Sequence, residues 1–140
     1  MNVLKHLAVF FLSLCFFCVI DLWFLRMFII PEYIAYYSDI LRMDGGSLSV
    51  SPRWVMSVYV LMVIGLYYFC VYLRSASLWD ALRRGAMLGL LMYGVFDLTN
   101  YAIIERWSLA LSVFEILWGM VICGLTAMFM RIVTVFLLPR

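Results

Sequence analysis

Three carboxylates interrupt long apolar stretches of this sequence: Asp21, Asp97 and Glu115. An acidic side chain at the centre of a membrane helix costs about 2.5–3.5 kcal/mol on insertion scales, and such residues usually mark a pathway or a site. Carboxyl groups in such positions can bind a proton or a cation, hold the polar head of a ligand, or act as a general acid or base. Which of these they do depends on the elements that position them.

The composition indicates that those elements are membrane helices. Of the 140 residues, 68% are hydrophobic and 13% are charged, whereas soluble domains have about half and about a quarter. A chain this short cannot bury so much apolar surface in one water-soluble core. The net charge of +2 is small and the basic residues are scattered, which argues against nucleic acid as a partner. We therefore expect an integral membrane protein with the lipid bilayer as its surroundings.

The apolar segments predict an all-α fold, an integral membrane four-transmembrane-helix bundle in a single membrane domain over residues 1–140. A crossing needs about 20 predominantly apolar residues. The predicted crossings are residues 4–30, 54–73, 85–104 and 107–130. Trp54, Trp79 and Trp107 lie at predicted crossing ends and Trp23 lies near one, as in the aromatic belts of membrane proteins.

The longest connection contains a second kind of helix signal. Residues 32–44 place Ile34, Tyr37 and Leu41 at helical spacing among charged residues. This pattern predicts a short interfacial helix between helices 1 and 2, lying at the membrane surface. The sequence Asp44-Gly45-Gly46 predicts the turn that ends it.

Basic residues near the crossing ends predict the orientation of the bundle. Six lie on the side of the two termini: Lys5, Arg74, Arg83, Arg84, Arg131 and Arg140. Four lie on the opposite side: Arg26, Arg42, Arg53 and Arg106. We therefore expect both termini on the cytoplasmic side of a bacterial inner membrane, or on the matrix side of a mitochondrial inner membrane.

In this topology the three acids lie in the same outer half of the bilayer, and helical periodicity turns them toward one interior. On the fourth crossing a polar and small-residue stripe contains Glu115. On the third, Gly85 and Gly89 form a G-x-x-x-G spacing suited to close helix packing, and we expect Gly119 to pack with them. The predicted buried polar cluster consists of Asp21, Tyr93, Asp97, Thr99, Asn100 and Glu115.

No Lys or Arg lies at the depth of these acids, so we expect at least one of them to be neutral or to hold a cation. A structural hypothesis makes the cluster a hydrogen-bonded network that fixes helix pairing. A functional hypothesis makes it a site for a proton, a cation or a ligand head group. The chain has one histidine and no phosphate-binding glycine loop or diagnostic metal spacing. We therefore predict no metal site and no cofactor, although a lipid could be bound.

Several of these residues also carry a family resemblance. Trp79 to Ala102 reads W-D-A-L-R-R-G-A-M-L-G-L-L-M-Y-G-V-F-D-L-T-N-Y-A, followed by E-I-L-W-G from Glu115 and preceded by D-L-W from Asp21. This pattern resembles the domain-of-unknown-function 2177 family of small predicted membrane proteins. The resemblance implies four crossings, with D-L-T-N-x-A on the third and an acid before x-x-W-G on the fourth. The family usually has Asp where this chain has Glu115, and it implies no particular activity.

Three hypotheses about function remain open. The first is a non-enzymatic accessory or structural subunit that packs against other membrane proteins, or against copies of itself. The second is a transporter component that binds a proton, a cation or a small ligand at the carboxylates. The third, less favoured, is a lipid-acting enzyme with Asp97 or Glu115 as general acid or base; it requires a lateral opening at the depth of the acids.

Overall fold

The computed structural model describes residues 2–72 and 77–138 of the chain. Within these ranges it is almost entirely helical, and four helical runs are long and apolar enough to cross a membrane. These runs are Val3–Tyr37, Pro52–Cys70, Leu78–Ile103 and Leu109–Leu137. The predicted all-α, four-span architecture is therefore confirmed. Leu73, the predicted end of the second crossing, and Arg74 and Arg140 of the charge count lie outside the described residues.

The helices and strands follow in simple order along the chain. The first run comprises α1 (Asn2–Phe24), a π-helical segment (Leu25–Ile29) and α2 (Ile30–Tyr37). A hairpin of β1 (Met43–Asp44) and β2 (Ser47–Leu48) follows. The second run comprises α3 (Pro52–Leu66) and a second π-helical segment (Tyr67–Tyr72), before α4 (Leu78–Ile103) and α5 (Leu109–Leu137).

The first run does not stop before Pro31, as the predicted crossing did. Proline lacks an N–H and its ring clashes with the carbonyl four residues earlier in a regular α-helix. Here the wider π-helical turn precedes the proline, and the Ile30 N–H donates to the Leu25 carbonyl oxygen. The chain therefore continues through Pro31 to Tyr37. A separate interfacial helix over residues 32–44 is not confirmed, because its first residues prolong the spanning helix.

The third and fourth runs are longer than predicted at their terminus-proximal ends. α4 begins at Leu78 rather than at residue 85, because the Ser77 hydroxyl accepts from the Asp80 N–H and caps the helix. Asp80 then pairs with Arg84, with 2.9 Å between Oδ2 and Nε. α5 continues past residue 130 to Leu137. Charged residues in these turns therefore lie on helices rather than in loops.

The predicted Asp44-Gly45-Gly46 turn is confirmed as the tip of the β1–β2 hairpin. Met43 pairs with Leu48 and Asp44 with Ser47. Gly45 and Gly46 have φ angles of 54° and 84°, in the left-handed region that two-residue hairpin turns require and that glycine adopts without steric cost. The turn therefore ends the first connection before α3 begins.

The four runs pack unevenly around one another. α4 and α5 form the most extensive contact, a tight antiparallel pair, while α1 packs on α5 and on α3. The π-helical segment Tyr67–Tyr72 touches α4, but α3 itself makes little contact with α4. Because α3 and α4 run in opposite directions, the end of the second run lies beside the start of α4. The two helices therefore meet at the terminus-proximal end and separate toward the other end. We call that other end, where α4 ends and α5 begins, the acid end of the bundle.

Candidate functional site

Close approach of α4 and α5 sets the geometry of the acid end. A Cβ added to Gly85 would overlap the backbone of Cys123 and lie 2.6 Å from the Ala127 Cβ. A Cβ at Gly89 would overlap the backbone of Gly119. These contacts leave no room for side chains, so the two helix backbones touch. Asp97 and Glu115, farther along the same faces, are thereby brought together.

Asp21 accepts hydrogen bonds that connect all four spanning runs. It lies on α1 with 2% of its surface exposed. Tyr59 of α3 donates its hydroxyl to Oδ2 at 2.9 Å. Trp118 of α5 donates its indole N–H to Oδ1 at 2.8 Å, and Tyr93 of α4 donates its hydroxyl to the same oxygen at 3.5 Å. One carboxylate thus receives a donor from each of the other three helices.

Packing holds the Trp118 indole in place for this bond. Its ring stacks on that of Phe24, one turn beyond Asp21 on α1, with ring centroids 3.7 Å apart and planes within 6°. Phe24 also contacts Phe114 at 5.5 Å between centroids. The hydrogen bond and the stack therefore join α1 to α5 at two adjacent levels.

Glu115 has a different environment, in which one carboxylate oxygen has a partner and the other does not. Tyr33 of α2 donates its hydroxyl to Oε2 at 3.2 Å. Oε1 is buried and has no hydrogen-bond partner among the described residues, and the residue as a whole is 7% exposed. The continuation of the first run through Pro31 is what places Tyr33 above this acid. Glu115 is therefore held in position but retains an unused acceptor.

Asp97 is fully buried beside Glu115. The Trp107 indole N–H and the Ser112 hydroxyl lie next to its carboxylate, yet neither meets hydrogen-bond geometry, and both Asp97 oxygens are without a partner among the described residues. Asp97 thus faces two donors, whereas the unused oxygen of Glu115 faces none.

A crevice opens between α3 and α4 at this level. Its volume is about 420 Å³. α3 contributes Val55, Val58, Tyr59 and Met62, α4 contributes Met92, Tyr93 and Phe96, and the floor is formed by Asp21, Leu25 and Glu115. Its walls are apolar, and its polar groups are concentrated at the floor.

The structure brings together most of the predicted cluster, with two exceptions. Asp21, Tyr93, Asp97 and Glu115 lie at one level, as described. Asn100 is half-buried, and its side chain forms no hydrogen bond with the acids within the described part of the chain. Thr99 does not join the cluster. It lies two residues, or about 200°, around the helix from Asp97, and it is exposed in a shallow apolar groove with Leu98 and Ala102.

The environment of Trp107 also differs from the prediction of an interfacial belt. Trp54, Trp79 and Trp23 are 71%, 62% and 59% exposed, as a belt requires, but Trp107 is only 8% exposed. Its ring stacks on Tyr37, with centroids 4.7 Å apart. Trp107 is therefore a buried packing residue at the acid end of the bundle.

Sequence reasoning missed two donors, Trp118 and Tyr33. Trp118 follows Glu115 by three positions and so shares its helix face, a signal that could have placed it in the cluster. Tyr33 offered no such signal, because its position depends on the π-helical turn before Pro31. Among the described residues, no group of three or more metal-ligating side chains is found.

Comparison with known proteins agrees with this architecture. The family model described as a predicted membrane protein (DUF2177) matches residues 6–132. No curated protein and no solved structure matches the chain. The match contains the second and third spanning runs, most of the first and fourth, and the three buried acids Asp21, Asp97 and Glu115. The chain therefore belongs to the DUF2177 family of predicted membrane proteins.

Proposed function

We propose that this protein is a non-enzymatic membrane protein that binds a small amphipathic molecule from the lipid phase, as a component of its transport. The observation that carries the proposal is the crevice between α3 and α4, which is lined by Glu115, a residue with a buried carboxylate oxygen that has no hydrogen-bond partner among the described residues. Sites for small molecules are concave and mostly apolar, with a few well-placed polar groups, and typically measure about 300–1,000 Å³. The crevice has this size and this distribution of polarity.

Access from the bilayer supports a ligand dissolved in lipid. Val58 and Phe96, on the two sides of the crevice, are 52% and 54% exposed. Because α3 and α4 separate toward the acid end, an apolar chain could enter sideways without crossing a polar surface. A polar head would then reach the floor while its tail remained between the helices.

A binding role is favoured over catalysis by the partners of the acids. Asp21 is occupied by three donors, and Glu115 is fixed by Tyr33. The sole histidine, His6, hydrogen-bonds to Tyr67 on the π-helical segment at the other end of α3. A nucleophile paired with a base, which covalent catalysis requires, is therefore not formed at the crevice by the described residues.

The proposal retains the orientation that the basic residues predict. With both termini on the cytoplasmic or matrix side, the acid end and the mouth of the crevice lie in the outer half of the bilayer. A ligand would then exchange with the outer leaflet.

The experiment compares dodecanol binding to the purified wild-type protein and to Val58→Trp, using native mass spectrometry after release from detergent. Tryptophan at position 58 fills the crevice, so bound dodecanol should fall to the background. Leu61→Trp is the matched control, because Leu61 lies on the same helix with 67% exposure and does not line the crevice. Equal retention of dodecanol by the wild type and both variants would contradict the proposal.

A second candidate is the accessory or structural subunit, which the Asp21 centre favours. A carboxylate whose hydrogen bonds lie within the bundle explains one buried acid without any ligand. If this role holds, chemical cross-linking in native membranes should capture a defined neighbour, either a second copy or another membrane protein. A cross-linking pattern that contains only the monomer would exclude it.

A further inference from the structure

We infer that the crevice selects an amphipathic cation, a molecule with an apolar tail and an ammonium head that pairs with Glu115. This inference rests on the proposed function and names its ligand class. Two observations support it. The hydrogen-bond donors near the crevice already have partners, and the oxygen that has none, Oε1 of Glu115, lies among negatively charged groups.

The donors that contact the two acids of the crevice floor, Asp21 and Glu115, are already used. The hydroxyls of Tyr59 and Tyr93 and the indole N–H of Trp118 all point to Asp21. The Tyr33 hydroxyl points to Oε2 of Glu115. A ligand head that only accepts hydrogen bonds therefore finds no free donor among these four groups.

The group that remains is an acceptor. Oε1 of Glu115 is buried, has no partner within the described chain, and belongs to a residue that lines the crevice and is 93% buried. An acceptor-only carboxylate oxygen calls for a donor on the ligand. Both a hydroxyl and an ammonium satisfy this requirement.

The charges around Glu115 favour an ammonium head over a hydroxyl head. Asp21 and Asp97 lie close enough to Glu115 to interact with it electrostatically, and the residues that line the crevice include no Lys or Arg. An ammonium both donates to Oε1 and balances carboxylate charge that would otherwise be costly in the membrane. A hydroxyl supplies only the hydrogen bond, and a carboxylate or phosphate head is repelled.

A divalent metal ion fits the floor less well than an organic cation. No group of three or more metal-ligating side chains is found in the described ranges, and calcium requires six to eight oxygen ligands. The apolar walls formed by Val58, Met62 and Met92 also have no role in binding a bare ion, whereas they match an alkyl tail. The crevice as a whole thus complements a tailed ammonium.

The test measures binding of three probes that share one tail: dodecylamine, dodecanol and dodecanoate. Each is titrated into the detergent-solubilised protein, and bound adducts are counted by native mass spectrometry. For the wild type, dodecylamine should bind on the order of tenfold more tightly than dodecanol, and dodecanoate least. Glu115→Gln keeps the acceptor for Tyr33 but removes the charge, so this preference should disappear. Glu115→Asp should keep it, and Glu32→Gln is the matched control at an exposed acid.

The outcomes distinguish this inference from the proposed function. If no probe binds in a way that Val58→Trp abolishes, the proposed function fails. If dodecanol binds through the crevice as tightly as dodecylamine, or if Glu115→Gln retains the preference, the crevice binds amphipathic molecules but the ammonium inference is overturned.

A lysophospholipid with an ethanolamine head tests whether the ammonium belongs to a free amine or to a lipid head group, because this probe carries a phosphate beside its ammonium. Weaker binding than dodecylamine supports a free amine, and equal binding overturns that choice in favour of a lipid head group.

Discussion

The Trp118 indole N–H donates to Oδ1 of Asp21 across 2.8 Å and so ties the last spanning helix to the first. Helices α1 and α5 are separated by most of the chain, and in lipid they gain little from apolar burial alone. The bond therefore supplies specificity of pairing, with Tyr59 and Tyr93 adding the two remaining helices at the same carboxylate.

Trp118→Phe should destabilise the bundle modestly. Phenylalanine keeps an aromatic ring to stack on Phe24 but cannot donate to Asp21. We expect a loss of about 0.6–2 kcal/mol in the free energy of unfolding, the range found for interhelical hydrogen bonds in membranes. Titration with sodium dodecyl sulfate in mixed micelles measures it. Trp23→Phe, at an exposed indole, is the control and should change little.

Asp21→Ala should destabilise the protein more than Trp118→Phe does. It leaves the donors of Tyr59, Tyr93 and Trp118 without an acceptor at a buried position, and each unsatisfied buried group costs about 1–3 kcal/mol. The same mixed-micelle titration should show the larger loss. Equal losses for the two variants would mean that Asp21 is not the shared centre of the network.

Gly89→Ala should separate α4 from α5, whereas Gly94→Ala should be tolerated. A Cβ at Gly89 lies 2.6 Å from the Gly119 carbonyl carbon, whereas a Cβ at Gly94 meets nothing within 4 Å. The two variants make the same change on the same helix, so they share the gain in helix propensity of about 0.5–1 kcal/mol. Thermal unfolding followed by circular dichroism should show a lower Tm for Gly89→Ala alone. A lower Tm for both would contradict the packing explanation.

Tyr37→Phe should loosen the first turn of α5. The Tyr37 hydroxyl accepts a 2.8 Å hydrogen bond from the Ser108 N–H, while its ring stacks on Trp107. The substitution keeps the stack and removes the acceptor, at a cost of about 1 kcal/mol. Amide hydrogen exchange at Ser108 should become faster. Tyr36→Phe, at a residue that is 59% exposed, should leave that exchange unchanged.

Much of the fold was predictable because lipid imposes a simple rule on sequence. A spanning helix must satisfy its own backbone hydrogen bonds over about 20 apolar residues, and each of the four runs shows that length. The shared level of Asp21, Asp97 and Glu115 followed from residue counting, and their common interior from the helical period. These features depend only on local regularity.

The remaining features depend on departures from regularity. The π-helical turn before Pro31 extends α2 and positions Tyr33 over Glu115, yet proline usually signals an end. The predicted cluster includes Thr99, although two residues along a helix from Asp97 turn a side chain to nearly the opposite side. The burial of Trp107 required knowledge of Tyr37, which a separate surface helix would have placed elsewhere.

The length of the first helical run has a consequence for how the protein responds to its membrane. Val3–Tyr37 contains 35 residues, or about 52 Å of helix at about 1.5 Å per residue, whereas the hydrocarbon core is about 30 Å thick. The surplus must project into water or be absorbed by tilt, and the balance depends on bilayer thickness. Tyr33 lies near the end of this run and donates a hydrogen bond to Glu115. A change in the tilt of this run would therefore move a residue that contacts the acid at the crevice floor.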